Sequence, residues 1–180
     1  MKEQSNLGKR FANRTFETFD ASDNPKAFAD CKWYVETGIH QPEKNGLILC
    51  GSYGTGKTHL AAAIVNEVTD QGVSALFNTY IGHLEAIKRE FGSDKERTYL
   101  EKMYDVELLV LDDVGKERIS EWSESVMFDV INNRYENMRP IVITTNLNAK
   151  QLEEYFGGAV YSRLIEMCNM IVTHGKDHRR

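Results

Sequence analysis

The stretch that most constrains the fold is residues 45–68, "NGLILCGSYGTGKTHLAAAIVNEV". A short apolar run, Leu47 to Cys50, has the length of a buried strand. A glycine-rich loop follows at once, and behind it Leu60, Ala61, Ile64, Val65 and Val68 recur at the spacing of an amphipathic helix. Strand, tight loop and helix in direct succession point to a parallel sheet, because the helix carries the chain back across it. Gly51, Gly54 and Gly56 allow backbone conformations that a side chain forbids, so successive N–H groups can converge on one anion. With Ser52, Tyr53 and Thr55 between them, the loop has the spacing of a phosphate cradle. Lys57 adds a mobile positive charge, Thr58 a hydroxyl for Mg2+, and His59 lies in the first turn of a helix whose positive end faces the same anion.

Strand and helix signals then alternate along the chain. After a polar lead over residues 1–23, Asn24 is placed to cap a helix that Pro25 opens. Ala27, Phe28, Cys31, Tyr34 and Val35 share one face of it, and Gly38 closes it. "VSALFN" is a second strand. Ile81, Leu84, Ile87 and Phe91 mark a helix, supported by the Glu85–Arg89 pair. "ELLVLDD" is a third strand. Trp122, Val126, Met127, Val130, Ile131, Tyr135 and Met138 form a helical stripe that stops before Pro140. "IVITTN" is a fourth strand, "YSRLIEM" lies in a helix, and "NMIVTH" is a fifth strand. The expected domain, residues 24–180, is α/β, with a five-stranded parallel sheet and helices on both faces.

Composition narrows the class. At 180 residues the chain builds one core rather than two. A net charge of −5 gives no bulk basic footprint, so any contact with nucleic acid needs a local patch. The three cysteines form no C-x-x-C pair, which suits a reducing compartment. No apolar run approaches the roughly 18 residues of a membrane span, and "MKEQSNLGKR" is no secretory leader. The expectation is a cytoplasmic protein with no membrane partner.

The third strand ends in Asp112 and Asp113. Behind a phosphate loop, the first carboxylate can hold Mg2+ together with Thr58, and the second can orient or deprotonate a water; the plainer alternative is an acid pair that caps the next turn. Lys57 and Asp112 are 55 positions apart, with a helix, a strand and at least one further helix between. The two motif strands are therefore not consecutive, and "IVITTN" is the candidate to lie between them, bringing Thr144, Thr145 and Asn146 to its end. A small-molecule kinase needs no polar residue there and would carry an arginine-rich lid instead.

Together these stretches resemble the AAA+ ATPase domain of the bacterial replicative helicase loaders, the DnaC/DnaI family, whose relatives include the initiator DnaA and the IstB transposition helpers. The resemblance runs over about residues 9–179. It is carried by "RTFETFD", "GSYGTGKTHLAAAI", "DVELLVLDDVG", "INNRYENMRPIVITTN", "YSRLIEM" and the terminal "GKDHRR". It implies a P-loop fold with little or no C-terminal lid domain, ATP and Mg2+ as ligands, and ATP hydrolysis that is slow or stimulated by DNA or a partner. It also implies self-association into a ring or helix, with a replicative ring helicase and single-stranded DNA as partners. By the same resemblance Asn146 matches the polar sensor of the γ-phosphate. Arg163 matches the arginine finger offered to a neighbouring subunit, and Arg179 a late arginine on phosphate. Two features depart from the pattern. Asp113 stands where many AAA+ proteins have Glu, and nothing before residue 9 matches the loaders' helicase-binding segment, as in an excised domain or a short natural form. An IstB-like transposition helper, a P-loop small-molecule kinase and a scaffold that binds nucleotide without hydrolysis are the alternatives.

Two further patterns bear on function. In residues 83–104, Lys88, Arg89, Lys95, Arg97 and Lys102 interleave with Phe91, Tyr99 and Tyr104, as in single-strand binding surfaces; Glu85, Glu90, Glu96 and Glu101 fit a solvated face equally well. Cys168, His174 and His178 lack a fourth ligand for zinc.

Overall fold

In the computed structural model, which describes residue 5 and residues 7–90, 94–116 and 120–175 (without the side chains of 94–98), the five strands form one parallel sheet. They are β1 (Gly46–Gly51), β2 (Ala75–Thr79), β3 (Leu108–Val114), β4 (Ile141–Thr145) and β5 (Cys168–Thr173), in the spatial order β2-β3-β4-β1-β5. β4 thus lies between β1 and β3, the insertion that the distance from Lys57 to Asp112 requires. The C-terminal ends of β1, β4 and β3 stand side by side, the edge at which open α/β sheets take ligands.

Seven helices cover the sheet among the described residues: α1 (Pro25–Glu36), α2 (Lys57–Asp70), α3 (Tyr80–Arg89), α4 (Asp94–Asp105), α5 (Glu121–Glu136), α6 (Ala149–Phe156) and α7 (Gly158–Met167). Strand side chains alternate between the faces. Leu47, Leu49, Val110 and Val142 pack against α1, α2 and Phe16 of the lead. Ile48, Leu109, Leu111 and Ile143 pack against the helices α3 to α7 through Ile87, Met103, Met127, Leu152 and Leu164. With both faces covered, the strands read as continuous apolar runs.

Several details differ from the sequence expectation. The helix α2 is buried nearly all round, Ala62, Ala63, Asn66 and Thr69 included, rather than amphipathic. The lead crosses its outer side: Asn66 Nδ2 donates to the carbonyls of Phe11 (3.3 Å) and Arg14 (3.0 Å), and the Phe11 ring reaches Phe77. Asn24 precedes α1 but makes no side-chain cap, because its amide is used elsewhere. α1 ends at Glu36 with Thr37 as its C-cap, and Gly38 opens a 3-10 turn, Gly38–His40. Met138 lies beyond α5, exposed and at φ 50°, so the stripe ends one turn early. Phe91 lies outside the described residues. α6 was not expected; Asn148 and Gln151 cap it reciprocally, and Leu152 and Phe156 bury it.

Arg134 on α5 is completely buried. Its guanidinium donates to the carbonyls of Met103, Tyr104, Val106, Glu107 and Pro140 at 2.6–3.3 Å. These include the orphan carbonyls at the C-terminus of α4, where a cation is favoured. Burial, with Arg139 nearby, pushes its pKa down to about 9, which still keeps it charged at neutral pH. Arg134 therefore ties α4, α5 and the starts of β3 and β4 together at the end of the sheet away from the glycine loop.

Candidate nucleotide site

The glycine loop joins β1 to α2. Gly51 has φ 147°, and a Cβ there would lie 2.2 Å from the Thr173 carbonyl oxygen; at Gly56, φ 91°, it would meet the Phe19 ring at 2.6 Å. Side chains are excluded at both points, so the loop stays tight. It is also braced from outside. Thr55 Oγ1 donates to the Ser52 carbonyl (2.9 Å) and pairs with Thr173 Oγ1 (2.7 Å). Asn24 Nδ2 donates to the carbonyls of Thr55 (3.3 Å) and His174 (2.7 Å), while its Oδ1 accepts the His174 N–H (2.7 Å).

Lys57 is 8% exposed, and its ammonium donates to the carbonyls of Gly51 (2.8 Å) and Ser52 (2.6 Å). It is thus buried within the loop rather than free on its surface. Thr58 Oγ1 donates to Asp112 Oδ1 (2.9 Å), and Thr144 Oγ1, from β4, donates to the same oxygen (2.6 Å). Burial raises the Asp112 pKa and Asp113 adds to the rise, against the two hydroxyl bonds that lower it. A buried carboxylate, beside a hydroxyl that can turn to a metal, has the chemistry to bind a divalent cation. Asp113 takes a left-handed φ of 64°, with its N–H held by Thr144 Oγ1 (2.8 Å) and its carboxylate paired with Lys116. Asn146 follows Thr145, which is in register with Cys50 of β1, so it stands at the same edge, partly exposed. Tyr53 of the loop is exposed.

The remaining candidates are spread out. His59 turns from the loop to the lead, donating from Nε2 to the Thr15 carbonyl (2.9 Å) with its ring edge-on to Phe19. Arg163 lies on α7, packed on α5 across the sheet from α2. Its Nη1 donates to the Ala159 carbonyl (2.9 Å), and its guanidinium stands over the rings of Phe128 (5.6 Å) and Tyr135 (5.7 Å). Arg179 and His178 lie outside the described residues. Cys168 and His174 are at opposite ends of β5, roughly 20 Å apart at the strand rise, too far for one ion.

In the basic stretch, Lys88 lies over Trp122 (4.6 Å) and Arg89 pairs with Glu85 (3.1 Å). Both tyrosines bond within the protein: Tyr99 to His83 and Asn78, and Tyr104 to Asp129. Phe91 and the side chains of Lys95 and Arg97 lie outside the described residues. Among the described residues no helix is long and apolar enough to cross a membrane.

The roles of Asn24, His83, Lys116 and Arg134 were not legible from the motifs. Each depends on a partner distant in sequence or set by a loop conformation.

This geometry has known counterparts. The replicative helicase loader DnaC of Escherichia coli is 30% identical over 156 residues, covering 84% of this chain and 63% of the relative. The replicative helicase loader DnaI of Bacillus subtilis is 31% identical over 153 residues, covering 79% of this chain and 47% of the relative. The chain therefore spans less than two thirds of either. A crystal structure of the DnaC helicase loader superposes with a TM-score of 0.83 at 28% identity, covering 93% of this chain and all of that one. The fold is the P-loop AAA+ fold, and a family model described as IstB-like ATP binding protein matches residues 1–180, so the chain belongs to that family.

Proposed function

We propose that the chain is the ATP-binding and ATP-hydrolysing core of a loader that delivers a ring helicase to DNA. The observation that carries this is the convergence of Thr58, from the loop helix, and Thr144, from β4, on Asp112 Oδ1. Residues 51–59 would hold the phosphates through loop amides and Lys57, and Thr58 and Asp112 would hold Mg2+. That ion, when bound, neutralises phosphate charge. Asp113 would accept a proton from water and Asn146 would orient the water; the shorter reach of Asp relative to Glu favours slow turnover. Arg163 stands over the Phe128 and Tyr135 rings of α5, on a helix packed across the sheet from α2, which favours a role on a neighbouring subunit's nucleotide and self-association. Arg179 is proposed as a further phosphate contact. We assign ATP binding to residues 24–180, with 1–23 as a lead, in the cytoplasm. Lys88, Arg89 and Lys102 are the proposed contacts to single-stranded DNA, binding that should weaken steeply with salt.

Similarity to two named loaders supports a replicative helicase as partner; the family's IstB description supports the second reading, a transposition helper. β4 between the motif strands disfavours a small-molecule kinase. Affinity purification of the full-length protein with ATP tests the choice. Recovery of the host's replicative helicase is expected, and recovery of a transposase in its place would sink the loader assignment.

A further inference from the structure

Lys116 follows closely on the two acids of β3. Its ammonium pairs with Asp113 Oδ2 and stands 5.8 Å from the centroid of the Tyr53 ring. Tyr53 belongs to the glycine loop and is 60% exposed. The ammonium thus spans the mouth of the site, from the end of β3 to the loop. Both side chains of the ion pair meet water, 40% exposed for Lys116 and 32% for Asp113, and pairs of that kind are weak enough to rearrange. Lys57 is of another kind, buried and bonded to two loop carbonyls.

We propose that Lys116 discriminates nucleoside triphosphate from diphosphate, as a rim cation shared between Asp113 and the terminal phosphate. This rests on the nucleotide-site assignment above. A terminal phosphate at this strand end brings negative charge to a corner that already holds two carboxylates. Without compensation, that repulsion weakens the triphosphate relative to the diphosphate. An ammonium on a flexible four-carbon stem has three donors pointing in different directions, so it can serve carboxylate and phosphate together. The face of Tyr53 attracts it without competing for those donors and keeps it over the loop. A diphosphate has no terminal group at that point, so Lys116 stays with Asp113 and adds nothing to its affinity.

The test is equilibrium binding of fluorescent ADP and of a fluorescent non-hydrolysable ATP analogue, each with Mg2+. Lys116→Ala and Lys116→Met should weaken the triphosphate about tenfold and leave ADP within about twofold of wild type, whereas Lys116→Arg retains most of the difference. Repeating Lys116→Ala in an Asp113→Asn background separates direct from indirect action. A cation acting on phosphate still costs about tenfold there; one acting only through Asp113 costs nothing, which overturns the proposal. Equal losses for both nucleotides, or none, also overturn it. Lys116→Met keeps most of the stem, so a folding defect confined to Lys116→Ala does not decide the outcome. Wild-type chain that binds neither nucleotide, with Lys57→Ala no different, removes the nucleotide site itself and Lys116's role with it.

Discussion

Thr144 Oγ1 lies 2.6 Å from Asp112 Oδ1 and 2.8 Å from the amide nitrogen of Asp113, so one hydroxyl of β4 holds both acids of β3. It donates in the first bond and accepts in the second. Thr144→Val keeps the shape but leaves the Asp113 N–H unpaired and takes a donor from a buried carboxylate. The expected stability loss is about 1–3 kcal/mol, with a greater loss of Mg2+-dependent than of Mg2+-independent nucleotide affinity; Thr144→Ser should restore both. Denaturant titration and nucleotide binding with and without Mg2+ check this. An unchanged Mg2+ dependence would detach β4 from the metal site.

Lys57→Ala should abolish tight Mg·ATP binding. Because the ammonium is buried against loop carbonyls, it should also cost about 1–3 kcal/mol in stability. Arg163→Ala should bind ATP normally yet hydrolyse it about 10³-fold more slowly, the lower end for arginine fingers. Once association has been measured, a mixture of the two variants should regain partial activity, since some interfaces then combine an intact loop with an intact Arg163. A mixture that associates and stays inactive would refute the finger role.

Arg134→Met should destabilise the domain by roughly 3–5 kcal/mol, because it removes a guanidinium that donates to five carbonyls, of which those of Tyr104 and Pro140 keep another donor. Arg134→Lys should recover less than half of that, since an ammonium cannot reproduce the guanidinium's planar fork. Denaturant unfolding reads the effect directly. A surface arginine would move stability by about 0.5 kcal/mol or less, and that result would contradict the buried network.

His83 supplies a pH dependence. Its Nε2 donates to the Val110 carbonyl (2.9 Å), so the neutral ring accepts at Nδ1 from the Tyr99 hydroxyl (3.1 Å). Burial pushes its pKa down from 6.5 to about 4. As pH falls below 6.5 the unfolded chain takes up the proton first, so this stabilisation is fully present above pH 6.5 and is lost between 6.5 and 4. The loss is about 3 kcal/mol at most. His83→Gln should flatten the profile in that window; an identical profile would assign the dependence to carboxylates.

The parts of the fold and site carried by local spacing could be read from the chain. The glycine loop, the acid pair and the insertion of β4 all followed from short motifs and the distance between them. What escaped was set by partners far away. Arg134 lies in "NNRYEN", where a charged residue reads as helix surface, and the carbonyls of α4, of Val106 and Glu107 before β3, and of Pro140 make it a core residue. Asn24 looked like a helix cap because its neighbours are Pro25 and an apolar stripe, whereas its amide is claimed by Thr55 and His174. The helix α6 is only two turns long, so its Leu152–Tyr155–Phe156 spacing spans too few residues to stand out, although the Asn148–Gln151 capping pair marks its start.

The Asn24 bridge reaches 31 residues forward to Thr55 and 150 residues forward to His174. Thr173, the other brace of the loop, likewise belongs to the last strand. The phosphate loop is therefore shaped by chain that a ribosome adds more than a hundred residues later. Closing a loop of that length costs entropy before any contact repays it. In the order of folding, the glycine loop comes into its final form only when β5 joins the sheet edge. A nascent chain stopped before residue 168 holds the whole motif yet lacks the Thr173 and His174 braces that help shape it.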